Sequence, residues 1–188
     1  MLRPRSTYSH PDLASVPGSR PWLLLRRPLL LALVLGSTVS LITEEKLSLP
    51  LVLSASFTWS FVPLLQIASL AAVRPRGRGV ASLAHTVDWF FLGQGPWLCW
   101  LVAFAAFWSS VSSLGHFVAP LWPWTATAAA AAVWSAYIDF WFFRGVLRCD
   151  ANSALRHLLL QRALAWSLGI LCFGASSLIP DLLRRFAL

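Results

Sequence analysis

An all-α, polytopic membrane bundle of five transmembrane helices is the fold this sequence predicts, and three observations predict it. Of 188 residues, 57% are hydrophobic and only 12% charged, with a mean hydropathy of +0.67; a soluble domain carries about 25% charged residues. A chain this short cannot hide that imbalance in a core, because much of its surface stays exposed. The apolar residues come in unbroken runs, where barrel strands would alternate, and the basic residues lie between those runs. A water-soluble monomer is excluded, and the bilayer is the solvent.

Residues 1–20 hold three Pro, four Ser, Gly18 and three Arg, with almost no periodic apolar content. They read as a mobile basic cytosolic arm ahead of a transmembrane domain over 21–188. Arg26-Arg27 and the Leu run behind them imitate a signal peptide. The preceding basic region is too long for one, and no small-x-small cleavage site follows cleanly before Glu44, so a retained first helix is expected. That first segment covers 28–42, borrows Leu23–Leu25 at its inner end, and has Pro28 in its first turn, where a missing N–H costs little. The second covers 47–73, with a kink expected at Pro63. The third, 96–111, follows an amphipathic stretch over 80–93. The fourth covers 124–143. The fifth, 163–179, follows a second amphipathic stretch over 152–162. Runs of about 17–25 apolar residues match a hydrocarbon core of roughly 30 Å.

Orientation follows from counting bases. Of the fifteen basic residues, twelve fall in three regions: Arg3, Arg5, Arg20, Arg26 and Arg27 before the first segment, Arg74, Arg76 and Arg78 after the second, and Arg144, Arg148, Arg156 and Arg162 after the fourth. The positive-inside rule puts those regions and the N-terminus in the cytosol and, with five spans, the C-terminus outside. A re-entrant fifth segment would instead bring Arg184 and Arg185 inside. Arg26, Arg27, Arg74, Arg76, Arg78, Arg144, Arg148, Arg156 and Arg162 are then expected at anionic lipid headgroups, each worth about 1 kcal/mol near such a surface. Bases placed between apolar runs mark membrane flanks and exclude nucleic acid as the partner. Most of the eleven Trp lie near the ends of apolar runs, as headgroup-level anchors do. Cys99, Cys149 and Cys172 show no CxxC spacing, and buried free thiols are expected.

A faint internal repeat is visible. Trp59-Ser60 and Trp134-Ser135 each precede a basic loop, an amphipathic stretch and another span, and Gln94 and Gln161 fall near the entries to the third and fifth segments. A duplicated two-span unit would explain this; chance likeness in a Leu/Trp-rich chain explains it too, since the Trp-to-Gln spacings differ.

Asp139 is the most informative single residue, an acid about one turn inside the fourth segment. Insertion of such an acid costs roughly 2.5–3.5 kcal/mol, so it faces the bundle or water. Ala128, Ala132, Ser135 and Asp139 share one face of small residues along which a second helix can pack. Arg144, five residues on, points elsewhere, whereas Gln161 or Arg162 reaches Asp139 if the last two segments pack together. A proton- or cation-linked carboxylate is one reading; a buried structural link is the commoner one. Ser56, Ser60 and Pro63 lie within about 60° on the second segment and, with Gln66, either line a polar path or glue helices together. His85 and Asp88, at i and i+3, are two ligands at most, and a solvated polar face on an interfacial helix is the simpler reading. Gly93-Gln94-Gly95-Pro96 is a tight break with no GK[ST] behind it. No GxSxG, HExxH or paired helical carboxylates occur, and neither a cofactor nor a metal is expected.

The run VWSAYIDFWFFRGVLRCDANSALRHLLLQRALAW (133–166), with the opening RRPLLLALVLG (26–36) and the middle PWLCWLVAF (96–104), resembles the bacterial branch of the Yip-domain family in layout. The resemblance implies a five-helix protein with a cytosolic N-terminus that acts through protein and lipid contacts, and it carries no catalytic residues. The Arg-over-Lys bias with abundant Leu and Ala suggests a GC-rich bacterial genome, and hence a multi-pass protein of the inner membrane. The expected function is a non-enzymatic scaffold or accessory subunit that binds anionic lipid and a membrane-protein partner or a second copy. The alternative is a small transporter or channel component using Asp139, and a membrane enzyme comes third. A transporter requires Asp139, Ser56 and Ser60 to face one water-accessible cavity; a scaffold requires a packed bundle.

Overall fold

The computed structural model describes residues 4–8, 22–75, 82–112 and 122–186. Among them every regular element is an α-helix: α1 (Pro4–Tyr8), α2 (Trp22–Glu44), α3 (Leu49–Trp59), α4 (Phe61–Val73), α5 (Leu83–Leu92), α6 (Gly95–Ser112), α7 (Trp122–Gly145) and α8 (Ala151–Phe186). Four stretches are long and apolar enough to cross a membrane, namely Trp22–Glu44, Leu49–Val73, Trp122–Gly145 and Ala151–Ala175, and α5 with α6 makes a fifth if that pair, bent by 47°, is one span. This is a multi-pass membrane bundle.

The helices differ from the sequence reading in three informative ways. The second span breaks at Ser60, not at Pro63 itself. A proline has no N–H for the carbonyl four residues back and its ring crowds that turn, so Pro63 disrupts the helix at Trp59 and Ser60. Ser60 closes the gap by donating its hydroxyl and its N–H to the carbonyl of Phe57, at 2.7 and 3.2 Å. Residues 152–162, expected as a separate amphipathic stretch, are instead the first turns of one continuous 36-residue α8, since no Gly or Pro separates them from the apolar run. Asp150 starts that helix, accepting the N–H groups of Asn152 and Ser153 at 3.2 and 3.3 Å. The third difference is at the N-terminus. Where composition predicts a mobile arm, residues 4–8 form a docked helical turn with Tyr8 buried; the rest of that arm lies outside the described residues.

Two close approaches set the packing. Glu45, in the left-handed region (φ 55°), turns the chain from α2 back into α3. The two helices then cross at Gly36, where a Cβ would lie 2.1 Å from the Ser56 hydroxyl and 2.5 Å from the Ser56 nitrogen. Only glycine permits that contact. At the other approach, a Cβ on Gly145 would lie 2.3 Å from the Tyr8 carbonyl oxygen, so Gly145 admits α1 against the end of α7. The apolar core gathers at this same end: Tyr8, Leu70, Val87, Phe90, Ile138, Phe142 and Phe143 are all fully buried together. Farther along, α6 meets α7 through aromatic rings, with Trp124 against Phe107 and Phe104 at 4.6 and 5.4 Å, while along α6 itself Trp97 stacks on Trp100 and Trp100 on Phe104 at 5.1 and 5.3 Å. Those Trp residues run down a helix face as well as marking its ends. Of the cysteines, Cys149 is half-buried, while Cys99 and Cys172 are exposed on apolar helices and not buried as expected.

Candidate functional site

Three helix starts and two helix ends bring the charged groups into one layer. α2, α6 and α8 begin there, α4 and α7 end there, and α5 carries one of its acids. Asp88 on α5 is 3% exposed. It receives Arg26 in a two-pronged pair, Nε to Oδ1 and Nη2 to Oδ2 at 2.6 Å each. The Arg27 guanidinium lies 3.3 Å from the same carboxylate and donates to the Asp88 backbone carbonyl at 2.5 Å. Charge-assisted, bidentate pairs of this kind are the strong ones. Asp88 is therefore no solvated face of an interfacial helix: its partners are more than 60 residues away in sequence, out of reach of a local reading. His85 does not pair with it, accepting instead from the Trp89 indole at 2.8 Å. Tyr8 packs edge-on against Trp89 and Phe142 and donates to the Trp89 carbonyl. Burial, and then the nearby Asp139 charge, push its phenol above the usual tyrosine range.

Asp139 is wholly buried, and Arg162 of α8 meets it at 2.5 Å. The partner expected from α8 is thus in place. Arg144 instead lies over the Trp141 ring, on which Arg5 of α1 also lies, at 5.6 and 5.5 Å. The second Asp139 oxygen has no hydrogen-bond partner among the described residues and would sit 3.2 Å from a Cβ at Gly93, in the joint between α5 and α6. A second tie joins α8 to α4, where Gln161 donates to the Ser69 hydroxyl at 3.2 Å.

Above this layer a cavity of about 520 Å³ opens between α4, α6, α7 and α8. Gln66, Gln94, Ser135, Gln161 and Arg162 form its polar end, and Trp59, Phe61, Val62, Trp166, Ile170 and Phe173 line the rest. Five polar atoms of these residues are buried without a partner among the described residues: Gln66 Oε1, Gln94 Nε2, Ser135 Oγ, Gln161 Oε1 and Arg162 Nε. Among the described residues, no three His, Cys, Asp or Glu side chains come together.

The residues singled out by sequence therefore separate. Gln66 lines the cavity. Ser56 sits under Gly36 at the α2–α3 crossing, and Ser60 caps the break before Pro63. Asp139 is paired with Arg162 and, like Ser56 and Ser60, does not line this cavity. Of the predicted headgroup residues, Arg26, Arg27 and Arg162 hold acids inside the bundle. Arg144, Arg148 and Arg156 are exposed, Arg74 ends α4, and Arg76 and Arg78 lie outside the described residues. Gln94, Ser135 and Gln161 were not expected as a site, although the faint repeat marked them along with Trp59, and all four meet in the cavity. Comparison with family models, curated proteins and solved structures gave no match.

Proposed function

We propose that this chain is a non-enzymatic scaffold or accessory subunit of a bacterial inner membrane, with five spans and its Arg-rich end and N-terminus in the cytosol. Its exposed bases bind anionic headgroups, and its partner is a membrane protein or a second copy. The observation that carries this reading is how the interior polar groups are used. Asp88 and Asp139 are each neutralised by arginines of other helices, and Gln161 and Ser69 join two helices. These contacts tie helix to helix across the bundle. Exposed Arg144, Arg148 and Arg156 at the same end support headgroup binding. The layout likeness to the bacterial Yip branch points the same way.

The test is gentle extraction of the tagged full chain from its native membrane, with quantification of co-purifying protein and lipid. We expect a stoichiometric partner or a homo-oligomer, together with retained phosphatidylglycerol that falls when Arg144, Arg148 and Arg156 are all changed to Gln. A lone protein with no lipid preference overturns the reading. The unpartnered oxygen of Asp139 favours the alternative, ion-coupled transport. On that reading liposomes show a flux that Asp139→Asn abolishes, whereas a flux unchanged by that substitution removes the residue's role.

A further inference from the structure

We propose that the cavity between α4, α6, α7 and α8 binds an uncharged single-chain amphiphile, entering from the bilayer, whose head both donates and accepts hydrogen bonds. Three features of the cavity choose that class. The first is the orphaned polar atoms. Gln94 is 3%, Ser135 2% and Gln161 1% exposed; each lines the cavity and each carries a polar atom with no hydrogen-bond partner among the described residues. Buried polar groups are almost always paired, so a cluster left open calls for a ligand. The open atoms are of both kinds: Gln94 Nε2 is a donor, and Gln66 Oε1 and Gln161 Oε1 are acceptors, the Gln161 nitrogen being spent on Ser69.

Charge excludes acidic and basic heads. Arg162 and Asp139 cancel one another at 2.5 Å, and among the described residues no other ionisable side chain lines the cavity. A phosphate or carboxylate would enter a low-dielectric site with no free countercharge, at a large desolvation cost. A hydroxyl or amide head meets matching groups without that cost.

Shape supplies the tail. On α8 the lining residues run from Gln161 and Arg162 through Ala165, Trp166 and Gly169 to Phe173, one helix face about 20 Å long at 1.5 Å per residue. Polarity falls along this line from the charged layer toward the middle of the span. Gly169 widens the slot, since a Cβ there would meet nothing within 4 Å. Trp166 and Ile170 are 66% and 69% exposed, which leaves the tail side open to lipid. The cavity is about 520 Å³ and open on one side, so a single chain can lie in the slot with its far end in the bilayer.

The experiment is photo-crosslinking of the full chain in nanodiscs with a mono-oleoylglycerol analogue carrying a diazirine in its tail, mapped by peptide mass spectrometry. Saturable labelling of 166–174 is expected. Unlabelled mono-oleoylglycerol should compete, and oleate and phosphatidylglycerol should not. A long prenyl alcohol that competes equally assigns recognition to the hydroxyl, and a weaker one assigns it to the glyceride ester. Gly169→Phe fills the slot from an open position without touching the polar end, and should abolish saturable labelling. Gln94→Leu with Gln161→Leu should weaken it about tenfold or more. Labelling that never saturates, equal competition by oleate, indifference to Gly169→Phe, or a crosslinked second copy covering 166–174 overturns the proposal. Wild-type competition decides the matter even if the glutamine variant fails to fold.

Discussion

At the Arg-rich end of the bundle Phe90, Ile138 and Phe142 are buried among one another, and two acids are held by three arginines; along the opposite half Leu49, Phe57 and Trp122 are more than 70% exposed. The first region is assembled like the interior of a soluble protein. The second is finished by lipid, which is as apolar as leucine and gives helices no hydrophobic reason to associate. Contacts there are ring on ring, as between Phe104 and Phe107 of α6 and Trp124 of α7, or backbone on backbone, as between Gly36 and Ser56. Apolarity puts the helices in a membrane, whereas the long-range polar contacts at one end decide which helices are neighbours.

The largest expected effect breaks that contrast directly. Asp88→Ala leaves Arg26 and Arg27 without their acid. Breaking a buried pair costs about 3–5 kcal/mol, and the low end applies because both arginines keep some solvent contact. Phe57→Ala removes a far larger side chain from a position 84% exposed and should change stability by less than about 0.5 kcal/mol. Thermal unfolding of both variants in one detergent tests this. Equal losses would mean that the two regions are held together alike.

The middle-sized effect lies at the α2–α3 crossing. Gly36→Leu forces a side chain into the Ser56 backbone and should cost about 1–3 kcal/mol. Ser56→Gly on top of it should recover only part of the loss, because the Ser56 nitrogen, 2.5 Å from the would-be Cβ, remains. Full recovery in the same unfolding assay would show that the hydroxyl alone limits the approach.

How much of this was legible in the sequence follows the same division. The helices could be read because apolarity is continuous and local, and the pairing of Asp139 with Arg162 because few charges lie near that depth. Asp88 was misread because its local pattern, one turn from His85, is that of a wet helix face. What buries it arrives from α2, and periodicity carries no record of that. Tyr8 was hidden for the same reason, a single aromatic in a Pro/Ser-rich segment whose docking depends on Gly145. The cavity was legible in part, through Gln66 on a candidate polar path and through Trp59, Gln94, Ser135 and Gln161 in a weak repeat, since sequence spacing says which residues recur and nothing about the space they enclose.

The smallest effect concerns the entry to α8, where the charged layer meets water. Asp150 is exposed, and the hydrogen bonds it accepts from Ser153, by hydroxyl and N–H, and from the Asn152 N–H hold its carboxyl below the usual range. A carboxylate with a depressed value in the folded state stabilises that state fully above its unfolded value, and the contribution fades as pH falls through the lowered one. The first turn of α8 should therefore fray in acid while the buried core, anchored at Leu158 and Phe142, holds. Backbone amide exchange at Asn152 and Ser153, compared across acidic pH, measures it. Asp150→Asn, which still caps but does not titrate, should flatten the pH dependence of those two amides and leave the core amides unchanged. If the Asn variant frays with falling pH as the wild type does, the acid sensitivity belongs to another group and the cap is not its source.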